Sequence, residues 1–204
     1  MKTISCMKID EKLLKAYSAE EKIYQEKETI FSEGDVPAYY YQILEGVVKL
    51  NNYNEEGKEF IHNILAEGQS FGEPLLFIDK KYPLNAIALK KTKVVRLQRK
   101  NFINLIKENP KISLEINECL SYRLYYKVLM MQNMASHSPL ARISGLFDYL
   151  KSYADCKDRH SFHIQLTRQQ IADLTGMRVE TIIRTLKKME SKGLIKIEER
   201  KIYF

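Results

Sequence analysis

The chain is predicted to be α+β: an N-terminal antiparallel β-roll, one long helix, and a C-terminal helix-turn-helix closed by a hairpin. Three observations carry this expectation. Between Glu21 and Gln98, short apolar or alternating runs are broken by glycines at 34, 46, 57, 68 and 72, the texture of a compact antiparallel roll or barrel. From Lys111 to Met134, apolar residues recur at helical spacing without a break. After Thr167 the apolar period is helical as far as Met189, then switches to two.

A chain of 204 residues, 45% hydrophobic and 29% charged, is a soluble folded protein of one or two domains. No apolar run approaches the ~20 residues of a membrane span. The first residues hold lysines but no uninterrupted apolar stretch and no small-residue cleavage site, so a cytoplasmic protein without membrane contact is expected. Net charge is +7, and five of the excess cations lie beyond Ser138, where 13 Lys/Arg face 8 Asp/Glu. A polyanion would be met there, although such a surplus alone is common. Cys6, Cys119 and Cys156 are far apart and form no CxxC pair. They read as free thiols of a reduced compartment, without a zinc site, a disulfide framework or an iron–sulfur cluster. His62, His137, His160 and His163 have no metal-ligand spacing, so neither a metal centre nor an enzyme is expected.

In order, Lys8 to Tyr17 reads as a short helix with Leu13, Leu14 and Tyr17 inward. KETIFSEGD is a strand ending in a Gly34-Asp35 turn, and YYYQILEGVVKLNNY is two strands kinked at Gly46. Asn54 to Gly57 is a hairpin turn before a strand at Phe60 to Leu65. NAIALKKTKVVRLQR contributes two more strands. Lys100 to Glu108 is a short helix with Phe102, Ile103 and Ile106 inward, punctuated by Asn109-Pro110. The long helix that follows carries Ile112, Ile116, Leu120, Leu124, Met131 and Met134, broadened by Leu114, Val128, Leu129 and Met130. That is more apolar surface than one small roll covers, so a second copy of the same helix is the expected cover; the alternative is a helix buried within one chain. Ser138-Pro139 opens the next helix as N-cap and first position, with Ile143, Leu146, Phe147 and Leu150 inward up to Tyr153. Ala154 to Ser161 is a polar loop and His163 to Leu166 a short strand.

Thr167 is placed to cap a helix bearing Ile171 and Leu174. Gly176 sits where that helix must reverse, a position that usually needs positive φ. A second helix carries Ile182, Leu186 and Met189, and Ile195, Ile197, Ile202 and Phe204 alternate in a closing hairpin. Helix, turn, helix, wing is the layout of a winged DNA reader.

The ordered set FSEGD, ILEGVVKL, EEGKE, Phe71 to Glu73, Asn109-Pro110, TRQQIADLTG and VETIIRTLKKME resembles the cyclic-AMP receptor protein and FNR family of bacterial transcription regulators, over nearly all of residues 21–204. The resemblance implies a dimer with an effector-binding roll of the cyclic-nucleotide type, a double-stranded β-helix, at 1–110. It implies a dimerisation helix and hinge at 111–137, and a winged DNA-binding domain at 138–204. The family reads the major groove with its second helix, and its E-x-x-x-R matches Glu180 and Arg184, which in the resembling proteins contact a C and a G. A carboxylate accepts from cytosine N4–H and a guanidinium donates to guanine O6 and N7. At spacing four both leave one helix face; the bland alternative is a surface ion pair worth a few tenths of a kcal/mol. Val179 matches the FNR type rather than the arginine of the cyclic-AMP receptor, and Ile183 matches neither. Such side chains meet a thymine methyl but make no bidentate contact. Arg168, Gln169, Arg178, Thr181 and Lys187 are the candidate phosphate contacts on double-stranded DNA.

The family's nucleotide pocket pairs a Gly-Glu with an Arg-Ser and two helix hydroxyls. Gly72 and Glu73 match, after Phe71. The Arg-Ser position reads Leu84-Asn85 before a matching Ala86, with one residue inserted, and the hydroxyl pair falls at Lys127-Val128. Leucine cannot neutralise a phosphate, which argues against cyclic AMP and for some other small effector. Arg123 and Lys127 are candidate cations for an anionic one; the alternative keeps both in solvent or paired with acidic residues. Haem through His62, a Glu73 that merely serves a turn, a constitutive DNA binder with no ligand, and a roll acting only through protein contacts also stay open. The charged segments Asn54 to Glu59 and Asp155 to His160 lie where relatives touch RNA polymerase, a further candidate partner.

Overall fold

The runs between Glu20 and Gln98 pair, in a computed structural model, into two four-stranded antiparallel sheets. The structure describes residues 8–135, 138–152 and 158–204. Expectations for Cys6, His137, Tyr153, Asp155, Cys156 and the Met134 side chain lie outside the described residues. A short helix α1 (Glu11–Ala16) is capped by Asp10, whose carboxylate accepts from the amides of Lys12 and Leu13. The strands are β1 (Glu20–Tyr24), β2 (Thr29–Phe31), β3 (Tyr39–Glu45), β4 (Val47–Tyr53), β5 (Glu59–Ala66), β6 (Ser70–Phe71), β7 (Asn85–Ala88) and β8 (Thr92–Gln98). One sheet runs β1-β8-β3-β6 and the other β2-β7-β4-β5.

The expected kink at Gly46 is a crossing: β3 belongs to one sheet and β4 to the other. Gly46 has φ +112°, and a Cβ there would lie 2.6 Å from the Thr92 Cα, so any other residue would push the start of β8 away from the crossing. Side chains from both sheets meet in one core, with Tyr24, Phe31, Tyr41, Ile43, Val48, Leu65, Phe71, Tyr82, Ala86, Ala88 and Val94 all buried. A second core joins Ile9, Leu14, Tyr40, Val95 and Leu97 to α2 (Arg99–Glu108), through Phe102 and Leu105, and to Ile116 of the long helix.

The long helix α3 (Pro110–Ala135) has 26 residues. Its first turns are partly covered, while Leu114, Leu124 and Met131 are 70%, 66% and 69% exposed. No helix among the described residues is long and apolar enough to cross a membrane. The chain divides into two compact units, and the division falls inside α3, between Ser121 and Tyr122. The second unit continues with α4 (Pro139–Lys151), whose Ser138 cap accepts from the Ala141 amide. Then come β9 (His163–Ile164), α5 (Arg168–Thr175), α6 (Val179–Ser191), β10 (Lys196–Glu198) and β11 (Lys201–Tyr203). The closing sheet has three strands in the order β10-β11-β9: the expected hairpin, joined by the strand expected at His163 to Leu166, of which His163–Ile164 pairs with β11.

Candidate nucleic-acid interface and effector compartment

Helix α5 starts where Thr167 accepts from the Gln170 amide while the Gln170 side chain accepts from the Thr167 amide, a reciprocal capping box. It stops at Gly176, in the left-handed region at φ +66°. The turn delivers α6 with Ile182, Thr185, Leu186 and Met189 buried, and Glu180, Ile183, Arg184 and Lys187 exposed on the opposite face. Ile183 keeps 45% of its surface in solvent, an apolar side chain that its own unit leaves largely uncovered. No ion pair joins Glu180 to Arg184 among the described residues, and both are exposed. The surface-pair alternative therefore has no support in the geometry, and both groups are open to an external partner. Val179, the first helical residue, is half-buried beside them.

The flanking polar residues divide. Arg178 is exposed and makes no side-chain cap, which leaves the first turn of α6 open to an anion. Lys187 is exposed and Thr181 half-buried. Gln169 donates to Asp173 Oδ1 at 2.9 Å, and the Arg168 guanidinium donates to the Arg200 carbonyl at 2.6 Å. Arg168 thereby holds the tip of the β10–β11 hairpin. That tip is two residues long, and Glu199 and Arg200 both have positive φ, 46° and 66°, the pattern of a type I′ turn. The sequence carried no Asn-Gly or Asp-Gly to reveal it.

In the first unit Phe71 is buried on β6, and Gly72, at φ +82°, precedes a short 3₁₀ helix (Glu73–Phe77). Glu73 opens that helix and is 1% exposed, with Ser70 Oγ donating to its Oε1 at 3.2 Å. Leu84 packs against the roll interior and Ala86 lies within it. Asn85 alternates to the other face of β7, where its Oδ1 accepts from the Glu33 amide at 2.9 Å and its Nδ2 donates to the Asn51 carbonyl at 3.3 Å. It is occupied structurally. His62 Nε2 lies 3.1 Å from Asn52 Oδ1, edge-on to Phe60. Arg123, half-buried, and exposed Lys127 are on the part of α3 that belongs to the second unit. Among the described residues no group of three His, Cys, Asp or Glu is placed to hold a metal.

What sequence reading missed in the roll is its interior furniture. Phe31 stacks on Tyr82 with ring centroids 3.7 Å apart, and Tyr41 stacks on Phe71 at 5.0 Å. Burial, with Tyr41 and Glu73 nearby, pushes the Tyr82 hydroxyl well above its ordinary range, so it stays protonated.

Comparison with known proteins is consistent across both units. Residues 21–109 match the cyclic nucleotide-binding domain family, and residues 141–204 match the Crp-like helix-turn-helix domain family. The chain is 30% identical over 175 residues to the cAMP-activated global transcriptional regulator CRP of Salmonella typhimurium, covering 84% of this chain and 83% of that protein. It is 29% identical over 174 residues to the nitrogen fixation regulation protein FixK of Bradyrhizobium diazoefficiens, covering 83% and 71%. Among solved structures, a CooA variant from Carboxydothermus hydrogenoformans superposes with a TM-score of 0.78 at 18% identity, covering 96% of this chain and 88% of that one. At that identity the likeness establishes the fold alone.

Proposed function

The chain belongs to the cyclic-AMP receptor and FNR family of DNA-binding transcription regulators, and we propose that it acts as a homodimer on palindromic promoter sites. Each half-site is read by Val179, Glu180, Ile183 and Arg184, while Arg168, Gln169, Arg178, Thr181 and Lys187 position the duplex through its phosphates. The observation that carries this reading is the exposed, unpaired Glu180 and Arg184 on one face of α6. The dimer is supported by Leu124, Val128 and Met131, exposed at spacings of four and three on α3, a stripe suited to a second copy of itself. The chain then works as a roll to residue 110, a dimerisation helix and hinge at 111–137, and a reading head at 138–204. It acts in the cytoplasm, with RNA polymerase as the further partner.

The roll takes a small effector other than cyclic AMP. The support is chemical: Leu84 offers no cation to a phosphate, and Asn85 spends its amide on Glu33 and Asn51. A constitutive binder is the second reading, favoured by the four stacked rings that fill the roll interior.

The test is selection of bound sequences from random duplexes with the full chain, followed by titration on the winner. A palindrome with a steep inverse salt dependence is expected. Leu124→Glu should give a monomer by light scattering that loses the preference for two half-sites over one. Recovery of an asymmetric single half-site by the wild type would sink the dimer reading.

A further inference from the structure

The segment after the 3₁₀ helix is turned towards solvent: Ile78, Asp79, Lys80, Lys81 and Pro83 are exposed. One residue in it is not. Tyr82 is 4% exposed and belongs to the roll's core. An exposed loop thus throws a single ring inward, and two main-chain bonds hold it there. The Gly34 amide donates to the Tyr82 carbonyl at 2.8 Å, and the Tyr82 amide donates to the Asp35 carbonyl at 2.9 Å.

Where that ring lands is specific. It lies flat on Phe31, at 3.7 Å and 8°. Its hydroxyl would be 3.1 Å from a Cβ on Gly72, and the Tyr41 ring 3.3 Å from the same point. The side chain therefore sits against Phe71, Gly72 and the buried Glu73. The hydroxyl has no hydrogen-bond partner among the described residues although it is buried. A buried donor left unmade costs stability, so packing alone does not account for tyrosine rather than phenylalanine here. The ring gains stacking and burial while its polar end stays unsatisfied, the energetics of an occupant that can be exchanged.

We propose that Tyr82 is a built-in occupant of the effector compartment. The resting roll is closed by its own side chain, and a ligand enters only by displacing that ring. The group that takes its place is planar, aromatic and about the size of a phenol, because it must stack on Phe31 beside Gly72. The loop that carries Tyr82 is free to retreat, since only the two bonds to Gly34 and Asp35 tie its main chain at this residue. This deepens the reading of the roll as the effector domain and rests on it.

The test is chemical complementation in the full chain with p-cresol, which is the tyrosine side chain without its backbone. Tyr82→Ala should lose thermal stability, and p-cresol should restore it saturably, as expected for a ligand that binds only the folded state. Wild type and Tyr82→Phe should shift less and only at higher p-cresol, because the ligand must first displace the tethered ring, and Tyr82→Phe should be at least as stable as wild type. If Tyr82→Ala does not fold, Tyr82→Val, which keeps part of the packing, gives the same readout. An equal shift in wild type, or a folded Tyr82→Ala with no shift, would overturn the proposal. DNA binding measured in the same samples separates the two readings. If p-cresol binds Tyr82→Ala yet promoter affinity never moves, the plug stands and the effector reading fails. If p-cresol does not bind, the plug fails whatever the DNA does.

Discussion

The two units of this chain use their side chains in opposite ways. In the winged unit the residues assigned to function point outward: Glu180, Ile183, Arg184 and Lys187 are exposed, and the core beneath is carried by Ile171, Ile182, Leu186 and Met189. In the roll the corresponding residues are the core, since Phe71, Glu73 and Ala86 are each no more than 1% exposed. An exposed position is free of packing duty, so its chemistry reports on a partner. A buried position serves packing first, and the same residue answers to two demands at once. The roll therefore cannot change its ligand chemistry without changing its fold stability, whereas the reading head can.

The largest expected effect tests that statement directly. Phe71→Ala removes a ring stacked on Tyr41 and close to Phe31, and truncation of a buried phenylalanine costs about 3–5 kcal/mol. Native-state hydrogen exchange should show the loss across β3, β6 and β8, with the amides of α5 and α6 keeping their protection. Equal loss in both units would mean that they unfold as one body and that the contrast drawn here is wrong.

The next effect belongs to the reading head and should leave stability alone. Arg184→Ala removes an exposed side chain that no residue of its unit uses, so the melting temperature should hold. Specific DNA binding should fall by about 1–3 kcal/mol, with random duplex bound nearly as before. Arg168→Ala should behave differently, because Arg168 is both a candidate phosphate contact and the donor to the Arg200 carbonyl. It should weaken specific and random DNA alike. Competition gel shifts against random duplex distinguish the two patterns, and identical profiles for the two variants would remove the roles given to them.

The same contrast governs what could be read from the amino-acid order. The winged unit was legible nearly to the residue: Thr167 as cap, Gly176 as reversal and the buried face of α6 all follow from local rules. What escaped there is held by tertiary contact, namely the pairing of the expected strand β9 with β11 and the I′ turn at Glu199 and Arg200. The latter is fixed from outside by Arg168 rather than by its own residue types. In the roll, glycines and alternation gave the strands but not their partners. That β3 and β4 part company at Gly46 depends on the approach of Thr92, a contact 46 residues away in sequence. The departure from the family pocket was visible at Leu84-Asn85. The inward turn of Tyr82 was not, because a lone tyrosine in a charged loop has no periodicity to announce burial. The long helix lies between these cases. A helix of about two dozen residues was expected and one of 26 is present, and its exposed stripe is the surface that the proposed second copy would cover.

The smallest effect concerns charge, and it probes the roll where it is exposed. Glu21 on β1 sits between Lys93, at 2.5 Å, and Lys15, at 2.9 Å. The Lys93 and Lys15 ammonium groups hold its carboxyl down at about 2, from an ordinary value of 4.5. A carboxyl whose folded pKa lies below its unfolded one stabilises the fold while both states are ionised. That contribution is complete above about 4.5 and is lost as pH falls towards 2. Solvent reaches all three groups, so the contribution is small and screened by salt. Glu21→Gln should accordingly lower the melting temperature slightly at pH 6 in dilute buffer, with the gap closing in 1 M salt and vanishing near pH 2. A gap that persisted at pH 2 would assign Glu21 to packing rather than charge. Even the outer face of the roll would then follow the rule of its interior, with the side chain serving the fold before any other purpose.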